Sequence, residues 1–234
     1  MAVFTAAKFP KPTVTHLWAT KALFYALSQS GWVLSLSKST FMTTKFVFLG
    51  ITWDTQTQST MAQNNRVQNI VNHRDPQSLA ELNSRLASLN YYQSYLPALK
   101  RLSLPLYALA KEGVFKWTRL EAQAWHNVKF LMGLNIKNKI FDPYAALFIL
   151  PDTSLVESSV FLQQWNSITL SMEIVACKST MLSQALRNQA ACHRESAGIW
   201  QGLQLASRLT RWQQGGLANG SPVSLETGSL NEET

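Results

Sequence analysis

The sequence predicts an α+β fold in which a β-hairpin, a helical segment and a smaller mixed sheet with one long helix follow each other along the chain. Three observations carry this. Residues 46–53 form a β-rich run closed by polar turn residues, two Ser/Thr-x-x-Glu helix starts stand mid-chain, and helical spacing gives way to short strand-like runs after Phe141-Asp142-Pro143.

From the N-terminus, Leu17, Leu23, Phe24, Leu27 and Leu34 recur at helical spacing until Ser30-Gly31 stops them. The 46–53 run follows as a strand, and residues 54–58 supply the turn of a hairpin before Met61. Gly50 inside the run marks a place where another backbone can come close. Ser78 and Glu81 have the spacing of a capping box, and Leu79, Leu82, Leu86 and Leu89 then share one helix face. Tyr91, Tyr92 and Tyr95 end that helix. Pro97 bends the chain into a second helical stretch through Leu99, Leu102, Leu106 and Leu109, making a helical hairpin. Thr118 and Glu121 repeat the capping box ahead of Ala124, Trp125, Val128, Leu131 and Met132. Residues 146–150, 160–162 and 168–176 read as strands, and 189–209 as a helix with Glu195 near its start. From residue 213 onward Gly, Ser, Asn and Glu dominate, the composition of a flexible tail.

Composition bounds the function. At 234 residues and 46% hydrophobic content, with 8 Trp and 11 Phe, the chain has enough apolar area for a packed core, which excludes disorder of the whole. The formal charge of +8 is uneven: residues 1–140 hold 16 Lys/Arg against 5 Asp/Glu, and the remainder 5 against 8. A basic front half suits a polyanionic partner. Cys177 and Cys192 are too few for a disulfide framework or a zinc site, so a reducing intracellular compartment, cytoplasmic or nuclear, is expected. No secretion signal or membrane span is read.

Several blocks, in order over about residues 16–205, resemble the polymerase polyprotein of gypsy-type long-terminal-repeat retrotransposons and retroviruses. His16, residues 31–38 with Phe41, and Phe48-Leu49-Gly50 resemble the end of the reverse transcriptase palm and its primer grip. Asn90-Tyr91-Tyr92, Pro97, Pro105-Leu106-Tyr107 and residues 115–118 resemble the thumb and its exit. Asp152-Thr153-Ser154, Leu162-Gln163-Gln164 and residues 195–199 resemble the start of a ribonuclease H domain. The resemblance implies a palm edge at 1–62, a helical thumb and connection at 63–140, a truncated ribonuclease H-like domain at 141–212 and a tail at 213–234.

It also implies site residues. Phe48, Leu49, Gly50, Tyr91 and Tyr92 would meet nucleic acid, and Lys100, Arg101, Lys111, Lys116 and Arg119 would track phosphates. Asp152 and Glu195 fall on the first two metal-binding carboxylates of ribonuclease H, with Mg²⁺ as the cofactor of any remaining activity. Two departures weigh against catalysis. The chain has four aspartates, no Asp-Asp pair for polymerisation and none after Asp152, whereas two-metal chemistry needs about four carboxylates. Lys38, resembling a motif lysine, then has no reaction to assist, and Gln93-Ser94 stand where the family often has arginine. The expected function is a catalytically inactive fragment that binds RNA/DNA hybrid or other nucleic acid non-specifically. The alternatives are a residual Mg²⁺-dependent ribonuclease H, alone or completed by another polyprotein-derived chain, and a co-opted interaction module or relic.

Overall fold

The computed structural model describes residues 12–35, 37, 39–166 and 169–214. Lys38 and residues 215–234 of the expected tail lie outside them. Helix α1 (Pro12–Gln29) ends where Ser30 and Gly31 predict, Gly31 taking φ 72°.

The 46–53 run is not one strand. It breaks at Leu49-Gly50, whose φ values of 51° and 73° make a two-residue turn between β1 (Lys45–Phe48) and β2 (Ile51–Asp54). Positive φ at both turn positions matches the twist of the flanking strands, which is why so short a connection closes here. Phe46 and Trp53 pair across the strands with stacked rings 6.4 Å apart. A second turn leads to β3 (Ser59–Ala62), held by the Asp54 carboxylate, which accepts from the Gln56 and Thr57 N–H groups at 3.0 and 3.1 Å. The distant strand β4 (Asn138–Lys139) completes this antiparallel sheet, in the order β1-β2-β3-β4.

A helix that the sequence reading lacks, α2 (Asn64–Val71), buries Val67. Helix α3 (Leu79–Tyr91) buries Leu82, Leu86 and Leu89, the face its spacing predicts. Its cap is only half the expected box. Ser78 accepts from the Glu81 N–H at 3.2 Å, but the Glu81 carboxylate reaches one residue further back, to Gln77 N–H at 3.1 Å, drawn there by Arg74 and Arg85. The box at Thr118 and Glu121 is complete and opens α6 (Arg119–Gly133). Between these helices the second arm of the expected hairpin is split. A 3-10 turn (Gln93–Tyr95) leads to α4 (Leu99–Leu102), then α5 (Leu104–Glu112) starts anew at Ser103 with Pro105 in its first turn, where a missing N–H costs nothing. One core joins the helices, with Leu106, Trp125 and Val128 almost wholly enclosed, and Ala62 and Val67 tie hairpin and α2 into it.

The second sheet comprises β5 (Leu147–Thr153), β6 (Glu157–Asn166) and β7 (Ser171–Met181), in that spatial order. It is antiparallel where a mixed sheet is expected, because consecutive strands joined by short turns can pair no other way. After α7 (Gln184–Arg187), the long α8 (Ala191–Gln214) lies on one face. It lies close because of two glycines: a Cβ on Gly202 would stand 2.2 Å from Ile149 Cγ2, and one on Gly198 2.5 Å from Thr153 Oγ1. The opposite face meets the helical half through polar contacts. Ser179 Oγ accepts from Lys100 N–H at 3.2 Å and donates to buried Glu157 at 2.6 Å, whose second oxygen lies 4.0 Å from Arg101 Nε. Cys177 donates to the Ser94 carbonyl at 3.2 Å, and burial pushes its thiol up to about 12, so it packs rather than reacts.

Candidate nucleic-acid interface

The Leu49-Gly50 turn projects from its sheet over the C-terminal end of α3. Gly50 is required there twice over, for its φ and because an added Cβ would lie 2.9 Å from the Tyr92 hydroxyl. Tyr91 donates its hydroxyl to the Leu49 carbonyl, and the two tyrosine rings meet edge to face at 4.9 Å. Leu49, a branched residue at positive φ, remains 69% exposed at the tip. Burial raises the hydroxyl pKa of Tyr92 and of Tyr95, opposed by the Arg66 charge for Tyr92 and by a hydrogen bond to Thr60 Oγ1 at 3.0 Å for Tyr95.

Between this turn and α2 and α3 opens a cleft of about 530 Å³. Leu49, Gly50, Tyr91 and Tyr92 line it together with Arg66, Asn69, Ile70, His73 and Ser88. Two segments singled out forty residues apart thus share one wall. The other wall comes from α2 and the loop after it, which the sequence reading missed. The recoverable signal was the spacing of Val67, Ile70 and Val71, which puts Arg66 and Asn69 together beside the apolar stripe. The cleft combines an exposed ring, an exposed cation and amide and hydroxyl groups, a set suited to a sugar-phosphate backbone with a base stacked alongside.

The remaining cations do not join it. Lys100 points its ammonium at Asn90 Oδ1 and the Tyr107 hydroxyl, each at 2.7 Å, an internal tie. Arg101 faces Glu157 across the junction of the two halves. Lys111, Lys116 and Arg119 are exposed around the α5–α6 turn, where Trp117 donates to Asp75 ahead of α3. They therefore lie near the opposite end of α3 from the tyrosines, roughly 20 Å away at 1.5 Å per residue. Phe48, half-buried, ends β1 beside the turn.

Asp152 and Glu195 are both exposed. Pro151 and Thr153 pack under Gly198 of α8, so strand alternation turns Asp152 to the other face, away from the helix that carries Glu195. Carboxylate oxygens suit Mg²⁺, but this pair is not presented to one ion, and the described residues hold no group of three or more His, Cys, Asp or Glu side chains that could share a metal. No metal-dependent step follows from this arrangement. No helix among the described residues is long and apolar enough to cross a membrane.

No family model matches the chain. The Tf2-3 and Tf2-4 transposon polyproteins of Schizosaccharomyces pombe are each 27% identical to it over 115 residues, 49% of this chain but only 8% of the polyprotein. In fold it is similar to the foamy viral protease-reverse transcriptase. Its dRH form in complex with double-stranded DNA superposes with a TM-score of 0.71 at 20% identity, over 86% of this chain and 35% of the other. The structure in complex with RNA/DNA hybrid gives 0.70 at 19%, over 84% and 26%. The chain thus shares its fold with part of the foamy viral protease-reverse transcriptase. With the sequence similarity to retrotransposon polyproteins, this supports the resemblance to a segment of a retroelement polymerase polyprotein.

Proposed function

We propose that this chain binds the backbone of duplex or hybrid nucleic acid at the cleft between the Leu49-Gly50 turn and α2–α3, without catalysing a reaction by itself. The observation that carries this is the convergence of Leu49, Gly50, Tyr91 and Tyr92 with Arg66 on one concave surface. The strongly basic front half and the nucleic-acid complexes of the similar folds support it. In this reading Asp152 and Glu195 are vestigial positions of a metal site, and Lys111, Lys116 and Arg119 add diffuse attraction. Binding is salt-dependent and poor in sequence discrimination, since phosphates rather than base edges are contacted.

Titration of labelled RNA/DNA hybrid at two salt concentrations, with and without Mg²⁺, tests the reading. The expected result is binding that weakens steeply with salt, that Arg66→Gln weakens several-fold, and that leaves the hybrid intact. Mg²⁺-dependent cleavage abolished by Asp152→Asn would overturn the non-catalytic part. Affinity indifferent to salt and to Arg66→Gln would overturn the cleft.

A further inference from the structure

Helix α1 belongs to neither core, yet it carries apolar residues on both of its faces. At about 100° per residue, its half-buried side chains Ala19, Thr20, Leu23, Phe24 and Leu27 share one side, where Phe24 meets Phe41 edge to face at 5.8 Å. Val14, Leu17, Trp18, Lys21 and Tyr25 fall on the opposite side within an arc of about 100°, and all five are exposed. A helix on a protein surface turns charged and polar residues outward. Here the outward face holds Trp18 and Tyr25, 66% and 68% exposed, and Lys21 is the only Lys, Arg, Asp or Glu between Pro12 and Gln29. Even that cation leans on the apolar surface, its ammonium 5.3 Å from the centroid of the Trp18 ring.

The area is that of an interface. Trp32, 71% exposed, follows at the end of the helix, where its N–H closes onto the Leu27 carbonyl at 3.0 Å. A buried aromatic side chain covers about 150–250 Å², so Trp18, Tyr25 and Trp32 with Val14, Leu17 and the Lys21 stem offer on the order of 700 Å². The largest apolar patch of a typical monomer is about 300–600 Å², and each partner of a stable complex contributes about 800 Å².

The face is also complementary to itself. Val14, Trp18, Lys21 and Tyr25 are separated by four, three and four residues, the same spacing from either end. Two copies packed antiparallel about a two-fold axis between residues 19 and 20 set Trp18 against the partner's Lys21 and Val14 against the partner's Tyr25, each contact occurring twice. Each ammonium is then covered by an aromatic ring of the other chain. A parallel pair would instead bring Lys21 against the partner's Lys21. We propose that α1 is a self-association surface whose occupant is α1 of a second copy of this chain, in antiparallel contact. This stands independently of the nucleic-acid cleft.

Sedimentation velocity of the full chain, freed of nucleic acid and run over a range of concentrations at low and high salt, tests it. The mass is expected to rise from one chain to two with concentration, and more readily at high salt, because two chains of formal charge +8 repel and salt screens the repulsion. Trp18→Lys and Tyr25→Ser should each hold the chain at one copy while melting like the wild type, since both side chains are exposed, and Leu120→Ser on the distant α6 should leave the dimer intact. In a Cys192→Ser background, a mixture of Val14→Cys and Tyr25→Cys chains should cross-link more than either alone. A single copy at every concentration overturns the proposal, and adsorption of that monomer to lipid vesicles, lost in Trp18→Lys, would give α1 a membrane surface instead. A dimer that survives both α1 variants, or that high salt dissolves, places self-association elsewhere and equally overturns it.

Discussion

Among the described residues, fifteen buried apolar side chains from five helices, a strand and the turn after α3 form one core in the hairpin and helical half; in the three-stranded sheet with α8, five do. The sheet makes up the difference with polar contacts. Its face away from α8 buries Glu157, Ser159 and Ser179, and these hydrogen-bond to one another and to α4. The contrast teaches that the helical half holds itself together by burial, while the sheet depends on being docked. The cleft, built from the self-sufficient half, is then preorganised without help from the sheet.

The strongest way to break this comparison is a cavity in each core. Leu82→Ala and Leu162→Ala, both fully enclosed, should each cost about 3–5 kcal/mol at the site. Their reach should differ. Leu162→Ala is expected to strip amide-exchange protection from β5–β7 and α8 while leaving α3 and α6 protected, whereas Leu82→Ala should release both halves. Equal loss in α3 and in β6 from Leu162→Ala would show a single cooperative unit instead.

Next in size is the docking contact itself. Glu157→Ala removes the acceptor of Ser179 and Ser159 and the partner of Arg101, and leaving buried hydroxyls unsatisfied costs about 1–3 kcal/mol. Glu157→Gln keeps an acceptor and should lose less. Urea unfolding of the two variants measures the difference, and equal midpoints would mean the sheet does not lean on this contact.

What could be read from the sequence follows the same division. Local signals reported local structure: the Thr118 box, the α3 leucine face and the stop at Gly31 all involve residues within four or so positions. The polar strands β6 and β7 were under-read because Ser158, Ser159, Gln164 and Ser179 break the apolar pattern, and their burial is compensated by partners far along the chain, as when Gln164 donates to the Asp142 carbonyl at 2.7 Å. The break at Leu49-Gly50 was hidden because the residues around it, Val47, Phe48, Ile51 and Trp53, are strand formers and Leu49 is not a turn residue by type; only the fold forces it to positive φ. Half the cleft was legible through Gly50 and the tyrosines. Arg66, Asn69, His73 and Ser88 were not, since nothing in the chain around them announces that a hairpin turn will come to rest opposite.

Gly50→Ala sharpens the comparison at smaller scale. The left-handed φ and the approach of the Tyr92 hydroxyl should together cost about 1–2 kcal/mol, all of it in the helical half. Nucleic-acid affinity should fall further than stability accounts for, because the turn is a wall of the cleft. Binding measured well below the melting temperature separates the two, and an affinity that simply tracks folded fraction would assign the turn a structural role alone.

The smallest expected effect concerns acid. Asp54, Glu81 and Glu121 all have pKa values held below the ordinary carboxylate values: Asp54 chiefly by the Thr57 N–H, Glu81 by the Gln77 N–H, and Glu121 by the Thr118 hydroxyl. All three belong to the hairpin and helical half. A carboxylate whose folded pKa is depressed adds stability that is complete above its unfolded value, 3.8 for Asp and 4.5 for Glu, and that disappears as pH falls through the lower folded value. The three groups are solvent-exposed, so each effect is modest and screened by salt. On acidification below about pH 4.5 the urea midpoint of the helical half should therefore drift down. Glu81→Gln/Glu121→Gln should flatten that drift while lowering stability at neutral pH, because both turn-forming acceptors weaken. Amide exchange resolved by segment decides the matter: if β6 and β7 lose protection before α3 and α6 as pH drops, the carboxylates that cap the helical half are not what acid removes first.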